Sequence, residues 1–346
     1  MRVLIVIPRQ PAATGNRVTA ERQKRGLAAL GHKVALVEVE VGQTRVLAVA
    51  LAAFRPDAAL LLHAWRSGEP WLQVKKSAAI PCVVCLTGTD LHEDLVAPER
   101  APIVQTVLAR AAAIVTQNPF TTTDLRRAGA EWTERLHYLP PAVVLGDEPY
   151  PLREILGVDA ETLVLLHPAG IRPVKGNREL LTLLGPVAKA YDNFVVAFCG
   201  PDLDPDYAAE FHTALRSRPW ARALGVIPHA AMAAALRAAD LVLNNSASEG
   251  LPNALLEAAV LGRPMLVRNI PGNAAVVSDD VNGHLYDDAA TFRRHLGALL
   301  DDPALRRRLA VPDPERYRPE HEAHELESLL RTVCDKKHTG LVPGPA

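Results

Sequence analysis

The sequence of 346 residues has only four cysteines, a formal net charge of −1 and no long apolar run. Four cysteines are too few for a disulfide scaffold in a chain of this length. The small net charge provides no field to attract nucleic acid or an anionic membrane, and the apolar runs are too short to span a bilayer. The N-terminal sequence MRVLIVIPRQ meets Pro8 and Arg9 too early for a signal peptide. We therefore expect a cytoplasmic protein with no transmembrane segment and no nucleic-acid partner.

Common catalytic and metal-binding motifs are also missing from the sequence, which has no H-E-x-x-H, no Walker loop and no G-x-S-x-G. The segment DLDPDY begins like a calcium loop, but Tyr207 stands where that loop needs glycine. We expect its acidic residues to start a helix instead. Cys82 and Cys85 form C-x-x-C within an apolar run typical of a strand, and the period of two puts their side chains on opposite faces. This spacing predicts buried core cysteines and not a metal or redox pair.

Short apolar runs alternate with longer amphipathic runs along the chain, a pattern typical of α/β folds with parallel sheets and crossover helices. The predicted strands are 2–7, 32–39, 57–64, 82–88, 112–118, 163–170, 194–200, 240–246 and 264–269. The predicted helices include 17–31, 44–55, 177–191, 206–216, 230–238, 252–261, 290–309 and 321–334. The proline-rich segment 138–157 interrupts the alternation and is the best linker candidate.

The alternation predicts two doubly wound, Rossmann-like domains that face each other across a cleft. We assign residues 1–150 to an N-terminal domain and residues 151–312 to a C-terminal domain. Residues 313–346 are expected to form a C-terminal helix and a frayed tail. Because ligands of such sheets bind outside the carboxyl ends of the strands, the loops after the strands should carry the chemistry.

The stretch LNNSASEGLPNALLEAAVLGRP is the most informative of these junctions. A predicted strand ends near Asn245, and a helix is predicted to begin at about Pro252, because proline suits the first helical position. The free N–H groups at that helix start would bind a diphosphate, and Gly250 would let the backbone approach a ligand. Glu249 and Glu257 flank this site, where carboxylates would accept hydrogen bonds from sugar and ribose hydroxyls. Such glutamates are usually solvated surface residues, and their position at a strand-to-helix junction favours the functional interpretation.

The segment HPAGIRPVKGN follows the first strand of the second domain and precedes a predicted helix near Asn177. Its loop carries Gly170, Arg172 and Lys175. Two cations at the carboxyl end of a strand suit a diphosphate leaving group, although loop cations mostly face solvent. Together with the loop that carries Glu249, they indicate a nucleotide-sugar site.

These residues resemble the retaining glycosyltransferase family 4, whose fold is the two-Rossmann type called GT-B. The resemblance implies that residues 1–150 form the acceptor-side domain and residues 151–312 the nucleotide-sugar donor domain. Glu249-x7-Glu257, in SEGLPNALLEA, is similar to the family's E-x7-E signature, and Arg172 and Lys175 match its Arg/Lys pair. The resemblance implies that Glu249 contacts the donor sugar, that Glu257 contacts the ribose, and that Glu249, Arg172 and Lys175 are catalytic. The remaining donor-binding candidates are Gly15, Gly170, Ser248, Gly250, Leu251, Pro252 and Asn253.

A closer resemblance is carried by TGNRVTAERQKRGLAALGH, LHAWRSG, LTGTDLHED, GIRPVKG and RNIPGNAAVV. These segments are similar to the branch called glycosyltransferase 1 domain-containing protein. The first three also resemble the selenosugar synthases, which join selenophosphate to a nucleotide-activated sugar. The branch implies no particular acceptor.

The acceptor-side candidates lie after the first, third and fourth predicted strands. Many relatives have a histidine at the Thr87 position, so any histidine-assisted step there is in doubt. His63 and Arg66 point toward the same predicted cleft and, with Arg17, could hold an anionic acceptor; His63 could equally be a satisfied histidine at a strand end. The acceptor-side candidates are Asn16, Arg17, His63, Arg66, Thr87, Gly88, Thr89 and Asp90.

The resemblance implies transfer of a sugar from a nucleotide diphosphate sugar, UDP before GDP, to a small-molecule or glycan acceptor with retention of configuration. We expect no cofactor and no metal, because Arg172, Lys175 and a helix N-terminus can neutralise the diphosphate. Three alternatives remain: a selenosugar or thiosugar synthase that uses an inorganic anion, a nucleotide-sugar 2-epimerase, and a non-catalytic nucleotide-sugar sensor.

Overall fold

The computed structural model describes residues 1–9 and 15–338, which divide into two compact units. Unit 1 takes Met1–Ala142 and the chain from Arg318 onward, and unit 2 is Val143–Tyr317. No helix within the described residues is long and apolar enough to cross a membrane. The predicted frayed tail lies outside the described residues from residue 339 onward.

Unit 1 is built on a parallel sheet of six strands in the order β2-β1-β3-β4-β5-β6. Its strands are β1 Arg2–Pro8, β2 Lys33–Val39, β3 Ala58–Leu62, β4 Cys82–Leu86, β5 Ala113–Thr116 and β6 Leu136–Tyr138. Its helices before the linker are α1 Gly15–Ala29, α2 Arg45–Phe54, α3 Gly68–Gln73, α4 Ala101–Arg110 and α5 Pro119–Ala128. β1 and β3 to β5 are almost entirely buried, which explains why each forms a nearly continuous apolar run.

Unit 2 repeats this plan with a six-stranded parallel sheet in the order β12-β11-β10-β7-β8-β9. Its strands are β7 Leu163–Pro168, β8 Phe194–Cys199, β9 Ala221–Ala223, β10 Leu241–Asn244, β11 Met265–Arg268 and β12 Gly283–Tyr286. Its helices are α6 Leu152–Leu156, α7 Asn177–Leu184, α8 Pro205–Leu215, α9 His229–Ala238, α10 Asn253–Val260, α11 Pro271–Ala274, α12 Ala289–Asp301 and α13 Pro303–Leu309. Because β7 and β10 are neighbours, the loops that follow them lie side by side at the carboxyl edge of the sheet.

The two cysteines of the C-x-x-C segment belong to different faces of the unit 1 sheet. Cys82 packs in one core cluster and Cys85 in the other, and both thiols are free and buried. Burial raises the pKa of Cys82 to about 11 and that of Cys85 to about 12. The prediction of buried core cysteines is confirmed.

The acidic segment before Tyr207 starts helix α8, as predicted. The side chain of Asp204 caps the helix by accepting a hydrogen bond of 3.0 Å from the backbone N–H of Tyr207. Proline at the first helical position completes a common helix start.

The C-terminal helix α14, Pro319–His338, packs against unit 1, a placement that the sequence did not indicate. Its Leu326, Leu330 and Val333 are buried in a core cluster of the unit 1 sheet. Arg22 on α1 donates to both carboxylate oxygens of Glu322 at 2.6 and 2.9 Å, and both side chains are buried. The predicted domain boundaries at residues 150 and 312 stay a prediction, and so do the acceptor and donor roles of the two domains.

Candidate functional site

The junction between β10 and α10 carries the predicted Glu-bearing loop. β10 ends at Asn244, and α10 runs from Asn253 to Val260. Pro252 has extended backbone angles and caps the helix, so the prediction that it is the first helical residue was wrong by one position. The predicted helix end is confirmed, since α10 ends just before Gly262, whose φ is 62°.

The carboxylate of Glu249 is held by donors from the loop after β7 and from the β10–α10 junction. Its Oε1 accepts hydrogen bonds from Lys175 Nζ at 2.5 Å, Ser246 Oγ at 2.7 Å and Asn244 Nδ2 at 3.5 Å. Burial alone would raise the pKa of Glu249, but the Lys175 ammonium and these hydrogen bonds lower it below its ordinary value. Glu249 is therefore an anion at neutral pH, and its side chain is still 10% exposed.

Asn245 joins the loop after β10 to the loop after β7. Its Nδ2 donates to the carbonyl of Gly176 at 2.7 Å, and its Oδ1 accepts from the hydroxyl of Tyr286 at 2.6 Å. Gly176 has a φ of 61°, and a Cβ there would lie 2.7 Å from Asn245. This close approach places Lys175 next to Glu249.

The loop after β7 also contains two buried donors that have no partner in the described part of the chain: Arg172 Nε and Asn177 Nδ2. His167, at the end of β7, donates from Nδ1 to the carbonyl of Leu243 at 3.0 Å. Burial lowers the pKa of His167 to about 4, so this imidazole is neutral. Positive charge and unpaired donors are thus concentrated around Arg172 and Lys175, as an anionic ligand would require.

Glu257 lies on α10 and is buried, with 6% of its surface exposed. Its Oε1 is 3.2 Å from Nε2 of His229, whose side chain is 42% exposed at the start of α9. His229 was not among the sequence candidates, and a histidine at a predicted helix start is the signal that could have found it.

The other donor-side candidates surround the same loops. Ser248, Gly250 and Leu251 are partly buried in the loop after β10, and Asn253 opens α10. Gly170 follows β7 beside a cavity of about 160 Å³, lined in part by Ile171, Gly200 and Val226 at the carboxyl ends of β7 to β9. Gly200 has a φ of 151°, and a Cβ on it would lie 2.4 Å from the carbonyl oxygen of Ala169.

Sequence reasoning missed Asn244, Asn245 and Ser246, which hold Glu249 and Gly176 in place. The run NNS directly after an apolar strand was their signal. Sequence reasoning also missed helix α11, which packs against the backbone of Glu249 at Gly272. A Cβ on Gly272 would lie 2.4 Å from the carbonyl oxygen of Glu249, so only glycine allows this contact.

The unit 1 candidates fall into two groups. Gly15, Asn16 and Arg17 form the first turn of α1, and Arg17 is paired with Glu38 on β2. Glu38 thus neutralises the charge of Arg17, which was predicted to help hold an anionic acceptor.

The second group lies after β3 and β4. Asp90 accepts hydrogen bonds from the backbone N–H groups of Thr87 and Gly88, both at 2.9 Å, and of Ala64 at 3.0 Å. His63 Nε2 is 3.0 Å from the hydroxyl of Thr89, and His63 Nδ1 accepts from the backbone N–H of Arg66 at 3.1 Å. The structure therefore brings His63, Arg66, Thr89 and Asp90 together within unit 1.

Comparison with known proteins is consistent with this geometry. Residues 151–311 match the family model of the glycosyl transferases group 1. A Xenopus tropicalis protein named glycosyltransferase 1 domain-containing protein 1 is 27% identical, over 91% of this chain and 92% of its own. A D-inositol 3-phosphate glycosyltransferase of Xylanimonas cellulosilytica is 28% identical over 72% of this chain and 65% of its own length.

Solved structures show that the predicted fold class is right. The sucrose-phosphate synthase of Thermosynechococcus elongatus superposes with a TM-score of 0.80 at 16% identity, over 95% of this chain and 98% of its own. HepE of Anabaena, in complex with UDP and glucose, gives 0.76 at 17% identity, over 95% and 99%. The fold is of the GT-B type, and residues 151–311 match the model of the glycosyl transferases group 1.

Proposed function

We propose that this protein transfers a sugar from a nucleotide diphosphate sugar, with UDP as the favoured nucleotide, to an acceptor, with retention of configuration. In this proposal Arg172 and Lys175 stabilise the departing diphosphate, with help from the N-terminus of α10. Glu249 contacts the donor sugar and Glu257 the ribose. We also propose that the protein is cytoplasmic and that the nucleotide sugar is a substrate which needs no further cofactor.

The observation that carries the proposal is the contact of 2.5 Å between Lys175 and Glu249 across the loops after β7 and β10. The loop of Lys175 also carries Arg172, and α7 begins after it at Asn177; Arg172 Nε and Asn177 Nδ2 are buried donors without a partner among the described residues. A buried unpaired donor costs free energy, which an anionic ligand would recover. A sugar diphosphate supplies both an anion for Arg172 and hydroxyls for the Glu249 carboxylate.

The names of the related proteins support the choice of donor. HepE of Anabaena was solved with UDP and glucose and also with UDP-glucose, although its identity to this chain is only 17%. The acceptors named for relatives differ, from D-inositol 3-phosphate to an undecaprenol-linked sugar. No observation favours a selenosugar synthase, an epimerase or a sensor over a glycosyltransferase.

We expect UDP to stabilise the wild-type protein in a thermal-shift measurement. A ligand at a hundred times its dissociation constant adds about 2.7 kcal/mol to stability. Replacing Arg172 with alanine should remove most of the shift, because the guanidinium no longer reaches the diphosphate. Arg178→Ala is the matched control, because Arg178 is exposed and pairs with Glu210 on α8. A shift with GDP or ADP alone would correct the nucleotide, and no shift with any nucleotide at millimolar concentration would overturn the donor site.

Retention and metal independence are tested on the slow hydrolysis of UDP-glucose, which needs no identified acceptor. We expect the glucose first released to be the α-anomer by proton NMR, and the rate to survive EDTA. The reason for the second expectation is that Arg172, Lys175 and the α10 N-terminus already supply positive charge at the diphosphate. Release of the β-anomer would contradict retention, and a rate lost in EDTA and restored by Mn²⁺ would contradict metal independence.

A further inference from the structure

Glu257 is a buried acid on a helix that is otherwise almost entirely apolar. Helix α10 has the sequence NALLEAAV, in which Glu257 is the only charged residue. Only 6% of the surface of Glu257 is exposed. A carboxylate in such a place loses hydration, and this is costly unless hydrogen-bond donors satisfy its oxygens. The question is therefore which groups satisfy the two oxygens of Glu257.

The oxygens of Glu257 have fewer donors than those of other buried glutamates. Glu69 and Glu322 are also buried, and each accepts hydrogen bonds at both carboxylate oxygens. For Glu257, hydrogen bonds from the described residues reach only Oε1, which lies 3.2 Å from Nε2 of His229. Its Oε2 has no donor in the described part of the chain, and 8% of the side chain remains exposed. A hydroxyl of a bound ligand can therefore reach this oxygen and satisfy it.

The carboxylate of Glu257 lies near the carboxyl edge of the unit 2 sheet. Burial is the main cause that raises the pKa of the Cys199 thiol to about 12, and the negative charge of Glu257 raises it further. Cys199 is the last residue of β8, and the next two residues, Gly200 and Pro201, line the cavity of about 160 Å³. Ligands of such sheets bind outside the carboxyl ends of the strands. The oxygen without a donor is thus at the edge where a nucleotide would bind.

His229 is the residue that orients this carboxylate. It is the first residue of α9, and its side chain is 42% exposed. An ionised carboxylate only accepts hydrogen bonds, so Nε2 of His229 carries the proton of the bond to Glu257. This bond engages Oε1 and leaves Oε2 available. Because His229 is so exposed, the pair contributes little to the stability of the fold.

We propose that His229 is a positioning residue for recognition of the nucleotide. Its Nε2–H holds the carboxylate of Glu257 so that Oε2 accepts a hydrogen bond from a ribose hydroxyl of the donor. The bond makes the site selective for a ribonucleotide over a deoxyribonucleotide. This inference rests on the proposed function for the contact between Glu257 and the ribose, and it adds the residue that orients Glu257 and the selectivity that follows.

The test is isothermal titration calorimetry of the full chain with UDP and with 2′,3′-dideoxy-UDP, which lacks both ribose hydroxyls. We expect the wild type to prefer UDP by about tenfold to a hundredfold, as a hydrogen bond to a charged group does. His229→Leu removes the donor and should lose most of this preference, because UDP binds more weakly while dideoxy-UDP binds as before. His229→Gln should restore much of it, since the amide nitrogen can donate from a similar position.

Two further measurements show that His229 acts through Glu257. In a Glu257→Gln background, His229→Leu should cause no further loss of the preference for UDP. His229→Leu alone should raise KM for UDP-glucose and leave kcat nearly unchanged, because a ribose contact is the same in the ground state and the transition state. His324→Leu is the matched control, since His324 is an exposed histidine on α14 that lies 3.9 Å from Glu327, and it should keep the wild-type preference.

The outcomes separate this inference from the proposed function. Equal affinity of the wild type for UDP and dideoxy-UDP, or equal weakening of both by His229→Leu, would overturn the role of His229 while UDP binding stands. Absence of UDP binding in the wild type would instead overturn the proposed function. His229→Leu should melt close to wild type without ligand, because the half-exposed pair adds little stability. If that variant does not fold, His229→Asn, whose amide is too short to reach Glu257, should lose the preference in the same way.

Discussion

Replacing Glu249 with glutamine is expected to lower kcat/KM for UDP-glucose by about 10²- to 10³-fold, the usual cost of one preorganised electrostatic group. The change keeps the shape of the side chain but removes the charge that Lys175 holds at 2.5 Å. It also leaves Lys175, which we propose to bind the diphosphate, without its acidic partner. The rate of UDP release, measured with a coupled assay, gives the change in kcat/KM.

The control for this experiment is Glu210→Gln, which removes an exposed glutamate paired with Arg178 in the same unit and should leave kcat/KM unchanged. The affinity for UDP, which lacks the sugar, separates a role in sugar contact from a role in diphosphate binding, because in the proposal Glu249 contacts the sugar. Wild-type rates in Glu249→Gln would refute the assignment of Glu249. Intact donor binding and an unchanged biological output in a Glu249→Ala variant would favour a sensor.

The depressed pKa of Glu249 also determines the pH range of this site. Because its pKa is lowered in the folded state, the stability gained from the ionised carboxylate is present above the ordinary glutamate value of about 4.3. It is lost only as the pH falls through the lower, folded value. A fall in activity between pH 7 and pH 5 should therefore not arise from protonation of Glu249.

Replacing Glu322 with alanine is expected to destabilise unit 1 by about 3–5 kcal/mol, because it leaves the buried guanidinium of Arg22 without its carboxylate. Arg22 and Glu322 have side chains only 6% and 2% exposed. Gln117 and Gln23 also donate to this carboxylate, at 2.7 and 3.3 Å. Urea denaturation followed by tryptophan fluorescence measures the change in the free energy of unfolding.

Glu320→Ala on the same helix is the control, since Glu320 is exposed and surface changes usually stay within about 0.5 kcal/mol. A double change to Arg22→Met and Glu322→Leu should recover much of the loss, because no unpaired charge is then buried. If Glu322→Ala and Glu320→Ala cost the same, the buried pair does not hold α14 to α1.

The proximity of the loops that carry Lys175 and Glu249 could be expected from the sequence. Both residues follow apolar runs, and the loops of neighbouring parallel strands meet at one edge of the sheet. The side-chain network that fixes their distance could not be expected. Asn245 connects Gly176 to Tyr286, and no local pattern shows which residues a buried asparagine will bridge.

By itself the sequence determined the central strands, many of the helices between them, the opposite faces of Cys82 and Cys85, and the two loops of the proposed donor site. These follow from local hydrophobic periodicity and from helix and turn signals. Only the tertiary structure decided the edge strands β6, β9 and β12, which are short and lie at the borders of the sheets. It also decided that α14 returns to α1. Such features depend on which distant residues meet, and contacts of that kind leave no period in the chain.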